Sequence, residues 1–309
     1  MNLKRTIHTL RPGSLLVFLI AIIAGSPTWA ANRKSDKPEV SFEVELAKKA
    51  YVGEAVTYNL YAYSSDKNIA QFQWKKAPNF RVMPYYEGEA DQELKVVRKN
   101  GKEMYRFNVL RLFFVPDKAG KFEINATDAY IGIPHEVAVN DFFWGPMRRT
   151  EYERILLHVP GAEITVKNRP KAPDNFSGAV GEFSVISWLP PGKITVDRDA
   201  VGVVKLSGYG NLKNINVWDM SHWFGDSAII IDSKRSEKLM QKDGRMYSEL
   251  LIELTFEPKV KDGEFGPVDF VVFNPRKGKY ETLKSQPESW SDSDVEISPS
   301  SSHLRTIGI

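Results

Sequence analysis

Several short segments of this chain occur twice, in the same order and at nearly one spacing. Asp199-Ala200-Val201-Gly202-Val203-Val204 repeats the pattern of Lys49-Ala50-Tyr51-Val52-Gly53-Glu54-Ala55-Val56 with a small gap, and Lys242-Asp243-Gly244-Arg245-Met246-Tyr247 repeats that of Asn100-Gly101-Lys102-Glu103-Met104-Tyr105. Phe256-Glu257-Pro258 echoes Phe114-Val115-Pro116, and Gly263 echoes Gly120; these and the preceding match lie 142 to 143 residues apart, the first one 148 to 150. A period this long signals a duplicated domain and excludes a solenoid of short repeats. The 309 residues, 42% of them hydrophobic, suit two cores of ordinary size.

Each copy reads as strand. Val40-Ser41-Phe42-Glu43-Val44-Glu45-Leu46 alternates apolar and polar residues, which buries one face of a strand, and a second strand follows Gly53 through Val56, Tyr58 and Leu60. Leu94–Val97 and Met104–Val109 flank Asn100-Gly101, a dipeptide suited to the positive φ angles of a tight hairpin turn. Phe122-Glu123-Ile124-Asn125-Ala126 resumes the alternation, and no long window beyond the first thirty residues has apolar residues at helical spacing. The sequence predicts an all-β chain with two tandem immunoglobulin-like β-sandwich domains, over 39–161 and 162–297, behind an N-terminal signal peptide. Residues 31–38 and 298–309 read as disordered ends, with a last strand near Val295 and Ile297.

Between the halves lies Pro173-Asp174-Asn175-Phe176-Ser177-Gly178-Ala179-Val180-Gly181-Glu182-Phe183-Ser184. Gly178 and Gly181, three apart with small residues between and phenylalanines outside, suit a close backbone crossing that a bulkier residue would block. This segment reads as the hinge and the first strand of the second module.

The first thirty residues have the pattern of an export signal. Lys4, Arg5 and Arg11 precede the apolar run Leu15–Ala24, and Thr28-Trp29-Ala30 places small residues where a signal peptidase cleaves, predicting cleavage after Ala30 and a periplasmic protein. Ten apolar residues are short for a bilayer span, so only a retained signal would anchor the chain. Without those three cations the formal +3 vanishes, leaving 39 basic and 39 acidic residues. No basic stripe with interleaved aromatics speaks for nucleic acid. There is no cysteine, hence neither a disulfide framework nor a thiol switch.

Catalytic patterns are sparse. Beyond the signal the histidines are His135, His158, His222 and His303, and none has metal-ligand spacing. His158 falls in the alternating Ile155–Val159, where a solvent-facing position suits it. No Gly-x-Ser-x-Gly elbow or cysteine nucleophile occurs, and Gly208-Tyr209-Gly210 lacks the following helix of a phosphate loop. A carboxylate pair for glycoside chemistry is not excluded by sequence. The reading is a binding protein, without a cofactor or metal.

Two aromatic clusters are candidate contact sites. In Asn140-Asp141-Phe142-Phe143-Trp144-Gly145-Pro146-Met147-Arg148-Arg149, three consecutive rings cannot all face one core, because side chains along a strand alternate. The rings either fold back over the open end of the first module or stand exposed for a partner, and rings followed by arginines (Phe142, Phe143, Trp144, Arg148, Arg149) match the composition of protein-binding hot spots. They also suit insertion into a membrane surface. Trp218, Trp223 and Phe224 form the second cluster, read either as a carbohydrate platform or as core of the second module.

Some of these segments carry a resemblance. Asn175–Ser184, with Phe176, Gly178 and Gly181, then Ser207-Gly208-Tyr209-Gly210-Asn211-Leu212, then Phe273-Asn274-Pro275 with Gly278-Lys279-Tyr280-Glu281-Thr282, resemble motifs of the BatD family of oxygen-tolerance (aerotolerance) proteins. The first half agrees through Val52-Gly53-Glu54, Ala77-Pro78-Asn79-Phe80 and Pro116-Asp117-Lys118-Ala119-Gly120, so the resemblance spans about Val40 to Val295. It implies tandem β-sandwiches outside the cytoplasmic membrane and, as partners, von Willebrand factor A-domain proteins and a MoxR-type ATPase system. Members usually carry a transmembrane helix after the sandwiches; no run of eighteen apolar residues follows them here. The function expected on this basis is that of a non-enzymatic interaction protein, with a carbohydrate or cell-wall binding module as the alternative.

Overall fold

The computed structural model describes residues 38–291, apart from 92–93, 197, 214 and 218–219. The expected signal peptide (1–30), nearly all of the N-terminal segment 31–38, the strand near Val295 and Ile297, the tail 298–309 and Trp218 lie outside the described residues. Among the described residues there is no α-helix, only two 3-10 turns, Phe80–Val82 and Ser221–Trp223. They divide into two compact units, 38–52 with 56–167, and 53–55 with 168–291.

The first unit contains β1 (Val40–Leu46), β2 (Lys49–Tyr51), β3 (Val56–Ser64), β4 (Ala70–Trp74), β5 (Tyr85–Gly88), β6 (Lys95–Lys99), β7 (Lys102–Phe114), β8 (Gly120–Ile124), β9 (Thr127–Asp141), β10 (Gly145–Val159) and β11 (Ala162–Lys167). One sheet runs β1-β3-β7-β5, with β6 also against β7; two three-stranded sheets run β10-β9-β4 and β2-β11-β8. Alternation places Tyr58, Leu60 and Ala62 of β3 and Phe107, Leu112 and Phe114 of β7 in one core with Ala129, Ile131, Ile164 and Val166. Phe80, delivered by the first 3-10 turn, meets Tyr58 edge-on with ring centroids 5.5 Å apart. Burial raises the Tyr58 hydroxyl far above its ordinary pKa.

The second unit contains β12 (Phe176–Trp188), β13 (Ala200–Asn211), β14 (Ala228–Lys242), β15 (Arg245–Pro258), β16 (Asp262–Phe265), β17 (Asp269–Asn274), β18 (Lys279–Lys284) and β19 (Glu288–Ser291). Six strands form one sheet in the order β14-β15-β13-β12-β17-β18, and β16 pairs with β19. The core centres on Trp223, Phe224, Phe256, Phe265 and Trp290, with Phe224 stacked on Phe265 at 4.7 Å.

The duplication reappears as a repeat of pairing, with one correction: the strand register equates Val56 with Ala200, not with Val204 as the first sequence match did, and Lys49–Tyr51 is a separate short strand paired with β11. The strand order β1-β3-β7-β6 in the first unit is matched by β12-β13-β15-β14 in the second. Val56 sits opposite Phe114, and Ala200 opposite Phe256. The hairpin turns coincide as well: Asn100 and Gly101 have φ of 51° and 80°, Asp243 and Gly244 50° and 69°, values that β-branched or bulky residues resist. Even the slip in spacing has a cause. In β7 the partner of Leu60 is Leu110 and that of Tyr61 is Asn108, so Val109 is an extra, bulged residue. No such shift interrupts β15 against β13. Counted by pairing, this inserted residue shortens the offset from 143 between Lys102 and Arg245 to 142 between Phe114 and Phe256, which leaves the Met104-Tyr105 and Met246-Tyr247 of the sequence match one residue out of step in the strands.

The boundary between units falls after Lys167, six residues beyond the expected position. Pro160-Gly161, just before the expected boundary, carries the chain from the sheet of β10 to that of β11. There β11 pairs with β8 and β2 and buries Ile164 and Val166 in the core of the first unit.

Candidate functional site

The longest feature of the first unit without a covering layer is the hairpin of β9 and β10. These strands pair in unbroken register from Thr127 opposite Val159 to Asp141 opposite Gly145. β4 reaches only as far as Gly132 on β9, and among the described residues no strand besides β4 and β10 pairs with β9. Beyond Gly132 and Arg154 the ribbon is therefore two strands wide, and it runs roughly 30 Å further to its turn at ~3.4 Å per residue. Burial follows this geometry: Ala129 and Ile131 are core, whereas from His135 outward the residues are half-buried or exposed. We call this segment, 134–152, the arm.

Cross-strand neighbours share a face of the ribbon. Val137, Val139, Met147 and Arg149 lie on one face, and Glu136, Ala138, Arg148, Thr150 and Tyr152 on the other. On the second face Arg148 pairs with Glu136 at 2.8 Å. Arg149 is exposed.

At the turn Phe142, Phe143 and Trp144 are 94%, 85% and 81% exposed. The expectation that they fold back over the open end of the first module is overturned, because the paired strands continue to Asp141 and Gly145 and carry the turn away from the core. Phe142 and Phe143 pack on each other instead, edge to face at 5.2 Å. The Asp141 side chain accepts hydrogen bonds from the backbone N–H groups of Phe143 (2.9 Å) and Trp144 (3.1 Å), so both turn donors are satisfied locally.

The hairpin of β17 and β18 holds the matching place in strand order, between the paired β16 and β19 as β9 and β10 lie between the paired β8 and β11, and uses the same turn, although it joins the main sheet of its unit through β12. There Asn274 accepts from the N–H groups of Arg276 (3.1 Å) and Lys277 (3.2 Å). Gly145 and Gly278 close the two turns with φ of 73° and 65°. The strands of that hairpin have six residues each, not fifteen, and Pro275-Arg276-Lys277 stands where the first unit has Phe142-Phe143-Trp144. Neither the sandwich nor the turn requires a long arm or three rings.

In the second aromatic cluster, Trp223 and Phe224 are 2% and 3% exposed, packed among Phe256, Phe265, Phe270 and Trp290, so neither of these two presents a ring face for a ligand platform; Trp218 lies outside the described residues. The Ser221–Trp223 turn directs both rings inward, leaving His222 on the surface 3.0 Å from Asp269.

The motif around Gly181 is structural. Gly181 pairs with Gly210, and Gly208 with Phe183, across β12 and β13. A Cβ on Gly181 would come within 2.3 Å of the Tyr209 carbonyl oxygen, and one on Gly210 within 2.4 Å of that of Val180. The Phe183 ring lies over this glycine pair. Phe176 packs against Tyr280 at 5.0 Å, Gly178 turns with φ of 88°, and buried Asn211 accepts from the Lys213 N–H.

A polar network on the outer face of the first sheet escaped the sequence reading. Arg111, 3% exposed, forms a two-pronged ion pair with Asp91 at 2.8 Å and donates from Nε to Asn59. Asn59 also accepts from Asn108 and donates to Glu45. The Arg111 guanidinium holds the Asp91 carboxyl below its usual range, and Lys99 does the same for Glu43. Burial raises the hydroxyls of Tyr61 and Tyr63. The signal was present as Asn59, Asn108 and Arg111 at positions within strands, where residue type alone points to solvent. This network holds its charges in fixed pairs.

Among the described residues no group of three or more His, Asp or Glu is placed to hold a metal ion, and no helix is long and apolar enough to cross a membrane. No protein-family model matches the chain, and a search of curated proteins returned no match.

Proposed function

We propose that this chain is a non-enzymatic interaction protein of the cell envelope, exported with loss of residues 1–30, whose working element is the arm of the first unit. The observation that carries this reading is the contrast between the two matching hairpins. One stops at six residues per strand with a polar turn; the other more than doubles in length and ends in three exposed rings. Exposed aromatic area of this kind destabilises nothing when a partner covers it, and is a liability otherwise.

The arm offers a protein partner two features: the outer edge of β10, which among the described residues pairs only with β9, and the face formed by Val137, Val139, Met147 and Arg149. An edge strand accepts an extended segment by strand addition, with side chains on alternate positions supplying selectivity. The resemblance to BatD proteins makes von Willebrand factor A-domain proteins of a MoxR-type ATPase system the first partners to try, and places the encounter in the periplasm. The test replaces residues 134–152 by an Asn-Gly turn and measures copurification with the von Willebrand factor A-domain protein of the same organism. Wild type retains the partner and the shortened protein loses it; equal retention by both would remove the arm from the contact.

A further inference from the structure

We infer that the turn of the arm, Phe142-Phe143-Trp144, seats in the interfacial region of a phospholipid bilayer. This rests on the reading of the arm as the working element and names what its end touches, leaving its flank for protein.

The shape of the turn favours lipid over protein. Three aromatic side chains can bury roughly 450–750 Å² in all, short of the ~800 Å² per partner of a stable protein interface. A protein gripping the turn alone would be too small a contact, whereas a bilayer surrounds the knob formed by the paired Phe142 and Phe143 rings on every side. The turn also limits what its backbone loses on leaving water. The N–H groups of Phe143 and Trp144 are both bound by Asp141, so an interfacial depth, where the remaining polar groups of the turn stay in reach of water and headgroups, strands neither of these donors.

The order of residues along the arm matches the order of layers in a membrane. Phe143 stands at the apex of the turn, with Phe142 and Trp144 at equal depth on its two sides, one residue beyond the last pair of Asp141 with Gly145; the phenylalanines suit the acyl boundary, and Trp144 adds an apolar ring with an N–H that suits the interface. Arg148 and Arg149 stand about 10–14 Å behind the turn at ~3.4 Å per residue, with side chains long enough to reach headgroup phosphates. The matching turn of the second unit keeps the backbone arrangement with Pro275, Arg276 and Lys277 in place of the rings. The rings are thus not a demand of the turn. Charge makes a minor contribution: Glu136, Asp141 and Glu151 oppose Arg148 and Arg149 over the arm, and Glu136 already pairs with Arg148. Binding should persist at high salt.

The experiment floats the purified protein with vesicles of equal parts phosphatidylcholine and phosphatidylglycerol. Wild type is expected to float at low and high salt, and the Phe142→Ser, Phe143→Ser, Trp144→Ser protein, with unchanged circular dichroism, to partition at least ~100-fold more weakly once the three side chains have no apolar surface to bury. Because the chain contains no cysteine, Phe142→Cys carrying an environment-sensitive fluorophore gives an independent reading, a blue shift on adding vesicles. Equal flotation of wild type and triple variant, no flotation of wild type, or a label that does not respond would overturn the inference. Arm-dependent copurification with a von Willebrand factor A-domain protein, without flotation, would overturn it while leaving the proposed function standing; flotation without that copurification would do the reverse.

Discussion

Replacing Gly181 by alanine tests whether the glycine pair between β12 and β13 is a steric necessity. The residue has φ of +154°, a region costing any other residue about 1–3 kcal/mol. The new Cβ would lie 2.3 Å from the Tyr209 carbonyl oxygen and 2.7 Å from the Gly210 Cα. Both are backbone atoms, so no side-chain rotation relieves the overlap and the strands must part, an overpacking cost of about 1–3 kcal/mol. Together these predict a loss of roughly 2–6 kcal/mol, a large share of the ~5–15 kcal/mol that holds a domain folded. Gly225→Ala is the control in the same unit. It has φ of +54° and nothing within 4 Å of the added Cβ, so it bears only the left-handed strain of about 1–2 kcal/mol. Hydrogen-exchange mass spectrometry on peptides from β13 and β15 reads the opening free energy of the second unit in the intact chain. If Gly181→Ala lowers it no more than Gly225→Ala does, the close-approach account is wrong.

Two further outcomes follow from burial and charge. Trp223→Ala should cost the second unit about 3–5 kcal/mol through loss of a fully packed ring, whereas Trp144→Ala, at an exposed turn, should stay within ~0.5 kcal/mol; equal shifts in thermal unfolding would contradict the assignment of one ring to core and the other to the surface. The depressed pKa of Asp91 makes its pairing with Arg111 a contribution that is present above the ordinary carboxylate value of about 4 and lost as pH falls through the lower folded value. The stability difference between wild type and Asp91→Asn should therefore be constant from neutral pH to about 5 and shrink below about 4, though solvent screens a carboxylate that is 40% exposed. A difference unchanged under strong acid would show that the ion pair does not titrate in this way.

Much of the architecture was legible because its causes are local. The Asn100-Gly101 and Asp243-Gly244 turns announce themselves through residues that tolerate positive φ. Strict alternation in Val40–Leu46 gives a strand wherever it is placed, and the close approach at Gly181 was readable from the glycine spacing and nearby phenylalanines. Other features were not legible because their causes are remote in sequence. Ala162–Lys167 alternates equally well for either unit, and only pairing with β8 and β2 assigns it to the first. Arg111 has the residue type of a solvated side chain, and becomes interior when the segment bearing Glu89 and Asp91 supplies its acceptors.

The two aromatic clusters divide the same way. From their residues Phe142-Phe143-Trp144 and Trp223-Phe224 have the same propensity to be buried. What separates them is whether other chain segments arrive to cover the rings: Phe256, Phe265 and Trp290 do so in the second unit, while the unbroken pairing of β9 with β10 takes the first cluster away from the core. The sequence by itself determined strands, turns and duplication, which depend on neighbours along the chain or across one turn. Which surfaces remain uncovered was decided by tertiary structure alone, because burial is a property of what distant residues bring and no side chain carries it in its own chemistry.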